Sequence, residues 1–332
     1  SEENRHMSQQ GYIQLTRECN QDCRFCSNPP NENRLDMKLG RGLIDGFIEQ
    51  GYSGIIFTGG EPTLSPLLPG LISYAVSRGI PNRVITNAQK LGDPEFFKTL
   101  YDAGLRNLNV SMYSVRKDVQ AFLSNNPDSL DNIMRAFEVL GGYPDLQVVV
   151  NTVINKYNSD HLAENVRWII ENVPFVTHFV WNNLDPRNSR VEQYPDTIAR
   201  LNDFQLQLYR AVKLVEKSGR TCRIERVPLC YMTEFEHLST ETRKIVKKEA
   251  TSTYFLDEKN LFTQETFIYG KAECCSVCTL DPICAGLFEM DVYYSSDELY
   301  ACFVDRQEIE KKILGSGPES PKQQRKHLAG KA

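Results

Sequence analysis

The feature that most constrains the fold is the alternation of short β-type runs with longer helical segments from about residue 11 to residue 186. Parallel neighbouring strands need a crossover between them, which is usually a helix, so this alternation predicts a parallel sheet built from βα units. The predicted strands are Tyr12–Thr16, Gly54–Thr58, Arg83–Thr86, Asn107–Met112, Gln147–Ile154 and His178–Asn182. The predicted helices between them are Met37–Gln50, Pro66–Arg78, Pro94–Ala103, Ser129–Leu140 and Asp160–Glu171.

Six βα units are too few for the complete barrel, which needs eight. The sequence therefore predicts an α/β fold, a partial (β/α)6 TIM-like barrel that is open on one side. Parallel α/β sheets bind their ligands at the carboxyl ends of the strands. The residues just after each predicted strand are accordingly the first candidates for chemistry.

The alternation stops near residue 220, after a long predicted helix at Pro195–Ser218, and gives way to short strands, loops and clustered cysteines. We predict a small cysteine-rich module there, followed by a tail whose Gly, Pro, Ser and charge indicate disorder. The first six residues resemble an expression-vector remnant ahead of Met7. The predicted segments are an N-terminal extension at 1–10, a barrel core with its following helix at 11–219, the module at 220–314 and the tail at 315–332.

The cysteines carry the strongest functional signal in the composition. Of ten, three lie at Cys19, Cys23 and Cys26, and the other seven lie between Cys222 and Cys302. The chain shows neither a secretory leader nor an apolar run of the ~20 residues that a membrane span needs, so we expect a cytoplasmic protein without membrane partners. Cytosolic thiols are kept reduced, which favours metal ligation over disulfides. A net charge of -5 argues against a nucleic-acid partner bound through phosphates.

The first cysteine group, Cys19-x3-Cys23-x2-Cys26, lies in the loop after the first predicted strand. Three thiolates can hold three corners of an iron-sulfur cubane and leave the fourth iron open to a bidentate small molecule. A structural zinc site normally takes four protein ligands. A zinc knuckle or a set of incidental thiols is the alternative interpretation.

This spacing, with Phe25 just before the last cysteine and a Gly-Gly-Glu-Pro segment after the second strand, resembles the radical S-adenosylmethionine superfamily. The resemblance implies a [4Fe-4S] cluster on the three cysteines, with S-adenosylmethionine as the second cofactor. In the family the Gly-Gly-Glu-Pro segment binds the amino group of the cofactor's methionine, and here its residues are Gly59, Gly60, Glu61 and Pro62.

Weaker matches to the same family continue around the predicted barrel. Thr86-Asn87-Ala88 follows the third strand where relatives often carry Thr-Asn-Gly, Ser111 ends the fourth strand and Asn151 lies on the fifth. The resemblance implies that Ser111 and Asn151 contact the ribose or carboxylate of the cofactor. For each of these residues, a capping or turn role is the competing interpretation.

A second ligand pattern, Cys275-x2-Cys278-x5-Cys284, is separated from the first by most of the barrel and indicates a second metal centre. Its spacing resembles the C-terminal SPASM and twitch extensions of the superfamily, which bind auxiliary iron-sulfur clusters. The full SPASM pattern has a further cysteine soon after the position of Cys284, and this chain does not. We therefore expect one auxiliary [4Fe-4S] cluster, with a structural zinc as the alternative.

The fourth ligand of that auxiliary site is open between two cysteines. Cys230 precedes the group, as in several twitch-like relatives, and is favoured; Cys302 follows it at a distance similar to that of a terminal SPASM ligand. Cys222 and Cys274 are interpreted as packing or spare thiols rather than ligands.

The resemblance implies reductive cleavage of S-adenosylmethionine and hydrogen abstraction by a 5′-deoxyadenosyl radical, with electrons from a flavodoxin or ferredoxin. The auxiliary cluster would then accept an electron from the substrate or bind the substrate directly. A ribosomal peptide is the favoured substrate, although the first cysteine group begins so near Met7 that no leader-binding domain is expected before it. A small metabolite (a sugar, nucleoside or cofactor precursor) is the alternative, and a non-catalytic iron-sulfur sensor or electron carrier is the competing class. No spacing singles out a catalytic acid, base or hydrogen donor.

Overall fold

The structure is a computed structural model that describes residues 9–187 and 190–315. Most of the predicted N-terminal extension and most of the predicted tail therefore lie outside the described residues. Gly315, the first residue of that predicted tail, is the last residue of a C-terminal helix. None of the helices in the described part of the chain has the length and apolar character needed to cross a bilayer.

A single nine-stranded sheet organises the molecule, in the order β7-β6-β5-β4-β3-β2-β1-β8-β9. Its first seven strands pair in parallel with their neighbours in sequence, β8 pairs in parallel with β1, and β9 is antiparallel to β8. This is the predicted α/β partial barrel, with β7 and β8 added as parallel strands and β9 as an antiparallel one. The strands are β1 Gln10–Thr16, β2 Gly54–Gly59, β3 Asn82–Thr86, β4 Asn107–Ser111, β5 Gln147–Ile154, β6 Val176–Asn183, β7 Thr221–Glu225, β8 Thr251–Phe255 and β9 Asn260–Gln264.

Side-chain alternation on the strands divides the sheet into an apolar outer face and a polar inner face. Ile13, Phe57, Val84, Leu108 and Val148 face one another across five neighbouring strands, and all are fully buried. Because successive strand residues point to opposite faces, this apolar row packs under the surrounding helices and the residues between point into the barrel. The outer row supplies the core, which leaves the inner face free for polar groups.

Helices connect the strands, and some of them begin at a residue whose side chain caps the first turn. The structure has α1 Met37–Glu49, α2 Leu68–Ser77, α3 Pro94–Asp102, α4 Lys117–Ser124, α5 Ser129–Gly141, α6 Leu162–Asn172, α7 Leu201–Lys217, α8 Thr240–Lys247 and α9 Arg306–Gly315. Asp36 caps α1 by accepting a hydrogen bond from the Leu39 amide at 2.9 Å. Asp160, a predicted helix start, lies one residue before the N-cap of α6 and instead contacts His161 Nδ1 at 2.5 Å and Arg116.

The long helix predicted at Pro195–Ser218 is divided in two. A single 3-10 turn covers Pro195–Thr197, and α7 begins only at Leu201. The buried carboxylate of Glu298 accepts hydrogen bonds from the backbone amides of Leu201 and Asn202, at 3.3 and 3.2 Å. A residue distant in sequence thus caps α7, which local sequence could not indicate.

The boundary predicted at residue 220 falls at the start of a strand. β7 follows α7 directly and pairs with β6 along its whole length, from His178↔Thr221 to Asn182↔Glu225. With β8 and β9, the segment 220–314 contributes three strands to the same sheet. The sheet therefore runs through the predicted boundary, and the cysteine-rich loops are attached to it.

The burial of β7 gives a stability prediction. Ile224 is fully buried, whereas Ile268 is 71% exposed. We expect Ile224→Ala to lower the free energy of unfolding by about 2–5 kcal/mol, because it leaves a cavity in a packed core. Ile268→Ala should change it by less than about 0.5 kcal/mol. Denaturant unfolding measures both, and an Ile224→Ala chain as stable as the control would contradict the placement of β7 in the sheet.

Candidate active site

The first cysteine group and the Gly-Gly-Glu-Pro segment meet at the carboxyl ends of β1, β2 and β3. A cavity of about 220 Å³ opens there. It brings together nearly all the cofactor and cluster residues that the sequence predicts for this end of the barrel. Those lining it are Cys19, Cys23, Phe25, Cys26, Gly59, Gly60, Glu61, Thr86, Asn87 and Ser111.

Gly59 and Gly60 hold the Gly-Gly-Glu-Pro turn against the cysteine loop. Gly59 has φ +134°, and a Cβ on it would lie 2.3 Å from the carbonyl oxygen of Thr16; a Cβ on Gly60 would lie 2.3 Å from that of Glu18. The amides of Gly60 and Glu61 donate to these same oxygens, at 2.6 and 2.7 Å. The glycines are therefore required for contact between the two loops, since any side chain would push them apart.

Glu61 is a buried carboxylate, 1% exposed. Its Oε1 accepts hydrogen bonds from the Thr63 amide and hydroxyl and from the Thr86 hydroxyl, at 3.0, 2.5 and 2.7 Å. Its Oε2 accepts one, from the Asn87 amide at 2.7 Å. Burial raises the pKa of Glu61, and these hydrogen bonds oppose the rise.

No basic side chain among the described residues pairs with Glu61. Its Oε2 carries a single protein hydrogen bond, and a carboxylate oxygen can accept more than one. A buried carboxylate without a cation is costly, so the cavity favours a positively charged ligand beside this oxygen.

The three thiols share the cavity and act on one another. Burial raises the pKa of Cys19 to about 11, and the neighbouring charges of Glu61 and Cys26 add to the rise. Burial followed by the Cys26 and Cys19 charges also raises the pKa of Cys23, and burial raises that of Cys26. Three thiolates here need positive charge to stabilise them, and iron ions supply it when they bind.

Phe25 fixes the cysteine loop against β4 and α4. Its ring meets that of Tyr113 edge-on, with centroids 4.8 Å apart. The Arg24 amide donates to the Leu123 carbonyl at 3.0 Å. The aromatic residue of the motif thus packs the loop in place, while Tyr113 brings its hydroxyl within 3.8 Å of Cys23 Sγ.

Two predicted cofactor residues are not among those that line the cavity. Pro62 is buried and begins the 3-10 turn after Glu61. Asn151 is the register partner of Ser111, but its Oδ1 accepts a hydrogen bond from Asn182 Nδ2 at 2.6 Å. The side chain of Asn151 is therefore held by the neighbouring strand β6.

The third-strand motif has an unusual backbone. Asn87 Nδ2 donates to Asn20 Oδ1 at 2.8 Å and lies 3.7 Å from Cys19 Sγ. Ala88, at the position where relatives often carry glycine, has φ +62°, in the left-handed region that favours glycine. The turn keeps its conformation although the residue that would adopt it without strain is absent.

Sequence reasoning missed several residues of the cavity wall, among them Tyr113, Asp185 and Arg226. Arg226 follows β7 directly, and its Nε donates to the Asn183 carbonyl at 2.9 Å. It has φ +57°, which is uncommon for a residue with a long side chain. The rule that ligands bind after parallel strands would have found Arg226 if β7 had been recognised.

Five C-terminal cysteines lie close enough for their charges to interact. Burial raises the pKa of Cys230 to about 12, and the thiols of Cys284, Cys302 and Cys275 add to it. Burial raises the pKa of Cys302 to about 11, with further contributions from Cys278, Glu236 and Cys284. Both candidates for the fourth auxiliary ligand thus lie beside the predicted group, and their positions alone do not choose between them.

The donor geometry of single-ion sites is a separate question. Within residues 9–187 and 190–315, no three His, Cys, Asp or Glu side chains are arranged to hold one metal ion.

A larger cavity, of about 670 Å³, lies beside the C-terminal loops and has Lys244, Phe267, Lys271 and Cys284 in its wall.

Comparison with protein families matches residues 13–169 to the Radical SAM superfamily. A PqqA peptide cyclase of Xanthomonas campestris pv. campestris (strain B100) is 28% identical over 163 residues, which are 48% of this chain and 43% of that protein. The Fe-coproporphyrin III synthase of Methanosarcina barkeri (strain Fusaro / DSM 804) is 35% identical over 112 residues, which are 32% of this chain and 28% of that protein. The matched stretch spans less than half of each curated relative.

A solved structure extends the likeness over almost the whole fold. Native anSMEcpe with bound AdoMet and Kp18Cys peptide superposes with a TM-score of 0.60 and 14% sequence identity, covering 97% of this chain and 98% of that one. The fold, the family match and the two motifs agree. The chain contains a domain of the Radical SAM superfamily, which occupies residues 13–169.

Proposed function

We propose that this chain is a peptide maturase that cleaves S-adenosylmethionine reductively at the cavity formed by Cys19, Cys23, Cys26 and Glu61. The observation that carries the proposal is the placement of three partly buried thiols and one buried carboxylate without a basic partner among the described residues in the same cavity. The thiols suit three irons of a [4Fe-4S] cluster. The Glu61 carboxylate suits the ammonium of the cofactor's methionine moiety.

A [4Fe-4S] cluster held by Cys19, Cys23 and Cys26, with S-adenosylmethionine beside Glu61, would supply the radical chemistry for hydrogen abstraction from a substrate. The protein itself orients the bound groups and excludes water from the cavity. The glycine contacts hold the two loops together, Glu61 fixes the turn to β3, and the Phe25–Tyr113 pair covers the cysteine loop. Such chemistry needs a closed site, because solvent and loose side chains would divert a radical.

A peptide is the proposed substrate, since the chain is related to a peptide cyclase and the fold of anSMEcpe accommodates a peptide. A small metabolite is the second candidate, favoured by the 35% identity to Fe-coproporphyrin III synthase. We further propose one auxiliary [4Fe-4S] cluster on Cys275, Cys278, Cys284 and Cys230, with Cys302 as the alternative fourth ligand. A flavodoxin or ferredoxin is the proposed electron donor.

The first test is cofactor cleavage. Reconstituted protein incubated with dithionite and S-adenosylmethionine should release 5′-deoxyadenosine, and Cys23→Ala should abolish the release because it removes a cluster ligand. Cys222→Ala is the matched control, since this thiol is buried on β7 and does not line the cavity. Chromatography of the products measures the release. Wild-type protein that carries a cluster but never cleaves the cofactor would overturn the proposed function.

The role of Glu61 gives a binding prediction. Glu61→Gln should weaken S-adenosylmethionine binding by about 10-fold to 100-fold, because a hydrogen bond to a charged group contributes about 1.5–3 kcal/mol. Thr63→Val also disturbs the Glu61 contacts but retains the carboxylate, so its effect should be smaller. Equilibrium dialysis of the holoenzyme gives both dissociation constants. Equal losses in the two variants would argue against an ammonium contact at Glu61.

The auxiliary cluster is tested by metal content. With Cys19, Cys23 and Cys26 all changed to Ala, we expect about four irons per chain to remain. In that background, loss of iron on Cys230→Ala but not on Cys302→Ala would identify the fourth ligand as proposed, and the reverse result would assign Cys302. Elemental analysis that finds zinc instead of iron would contradict an auxiliary iron-sulfur cluster.

A further inference from the structure

Arg83 lies on the inner face of the barrel and has no anionic partner among the residues that the structure describes. Strand register places Tyr12 on β1 level with Ile56 on β2, and Ile56 level with Arg83 on β3. Because residues at the same level of neighbouring strands share a face, Arg83 and Tyr12 point into the barrel. The neighbours of Arg83 on its strand, Asn82 and Val84, are buried on the opposite face.

The protein leaves most donors of Arg83 unused. Its guanidinium presents a fork of N–H groups, and the hydrogen bond that the structure gives it runs from Nη1 to Asn109 Oδ1 at 3.1 Å. No carboxylate of the described residues forms an ion pair with it. Burial lowers the pKa of Arg83, and the charge of Tyr12 opposes that shift. Burial raises the pKa of Tyr12, and the charge of Glu225 adds to the rise.

Other ionisable groups lie on the same face, among them His178 on β6 and Glu225 on β7. Burial, followed by the positive charges of Arg223 and Arg83, lowers the pKa of His178 to about 3. His178 is therefore neutral at physiological pH, and its Nδ1 lies 2.7 Å from Thr221 Oγ1. Burial also lowers the pKa of Arg83 itself. The inner face around Arg83 thus combines neutral polar groups such as His178 with the charges of Arg223 and Glu225 on β7, and no described carboxylate forms an ion pair with Arg83 itself.

Such a cation lowers stability unless it has a ligand. Arg83 is partly buried, so it gives up part of its hydration, which costs free energy when no partner replaces the water. The planar guanidinium binds a carboxylate through two parallel hydrogen bonds, which a neutral side chain cannot do. A polar ligand with one carboxylate is therefore the group that this face fits best.

The position of Arg83 connects it with the cavity. Ile85, two residues further along β3 on the same face, lines the cavity, and so does Ser111, two residues beyond Asn109 on β4. Two strand residues span about 7 Å. A carboxylate held at Arg83 would therefore place the rest of its molecule beside the three cysteines.

We propose that Arg83 binds a carboxylate of the substrate and that Tyr12 and Asn109 help to orient it, so that the substrate is anchored one layer below the reacting atoms. This rests on the proposed function, because it assumes that the reaction takes place in the cysteine cavity. The carboxylate comes from an acidic side chain of a peptide or from a free organic acid, and the two share the same recognition chemistry.

The test is thermal unfolding of the holoenzyme saturated with S-adenosylmethionine. Glutarate should raise the Tm, because a ligand that binds only the folded state stabilises it. Glutaramide, which is similar in shape but uncharged, should not raise it. Arg83→Gln should lose the glutarate effect, while Arg210→Gln, an exposed position with the same charge change, should keep it. N-acetylglutamate N′-methylamide presents the same carboxylate on a peptide backbone, and a larger shift than with glutarate would indicate a peptide source.

The stability of the unliganded variant separates a binding role from a structural one. Arg83→Gln keeps a donor for Asn109 and removes an unpaired charge, so without added acid it should melt no lower than wild type. Equal shifts with glutarate and glutaramide, a glutarate shift retained by Arg83→Gln, or a lower Tm of that variant would each overturn the inference. Release of 5′-deoxyadenosine by the same preparation tests the proposed function separately, since thermal unfolding does not depend on cofactor cleavage.

Discussion

The close backbone contact between the cysteine loop and the Gly-Gly-Glu-Pro turn is the constraint on which the site depends. Each of the two glycines lies where a side chain would collide with a carbonyl of the other loop, and each of those carbonyls accepts a hydrogen bond from the turn. Glu61 then extends the contact to β3 through Thr86 and Asn87. Three consecutive strand ends are thereby fixed as one unit before any ligand binds, which is the preorganisation that a reactive cofactor requires.

Sequence periodicity predicts a strand well where its residues form a long apolar run. β5 begins and ends at the predicted residues, Gln147 and Ile154, because its run is long and apolar. β7 was missed because Thr221–Glu225 carries Arg223 and Glu225 on the inner face, and such a mixed segment lacks the apolar signal of a buried strand. Because its inner-face residues are polar, the sequence pattern did not indicate β7, the strand that precedes Arg226. The split of the helix predicted at Pro195 has a different cause, since Glu298 caps α7 from almost a hundred residues away in sequence.

The site was predictable where spacing determines geometry and where a residue ends or follows a parallel strand, as Glu61, Thr86 and Ser111 do. Cysteines within one short loop must lie near one another, so the spacing from Cys19 to Cys26 was sufficient to group them. Side-chain partners across strands depend on register, which single-sequence reasoning does not provide. Asn151, which the family resemblance implies as a cofactor contact, has such a partner, because its Oδ1 accepts a hydrogen bond from Asn182 Nδ2 on β6. The position of the Tyr113 hydroxyl near Cys23 could not be predicted for the same reason, because it depends on where α4 and the loop after β4 pack.

The C-terminal cysteine loops are part of the barrel rather than an appendage. The hydroxyl of Tyr294 donates to the Leu184 carbonyl at 2.6 Å, at the carboxyl end of β6 and next to Asp185 in the cavity wall. Glu298 stabilises the start of α7 from the same loop region, and the hydroxyl of Tyr231 donates to its carbonyl at 2.6 Å. These contacts are buried, so moving the loops would expose unpaired polar groups and cost stability. The separation between the two cysteine groups is therefore set by packing of the core.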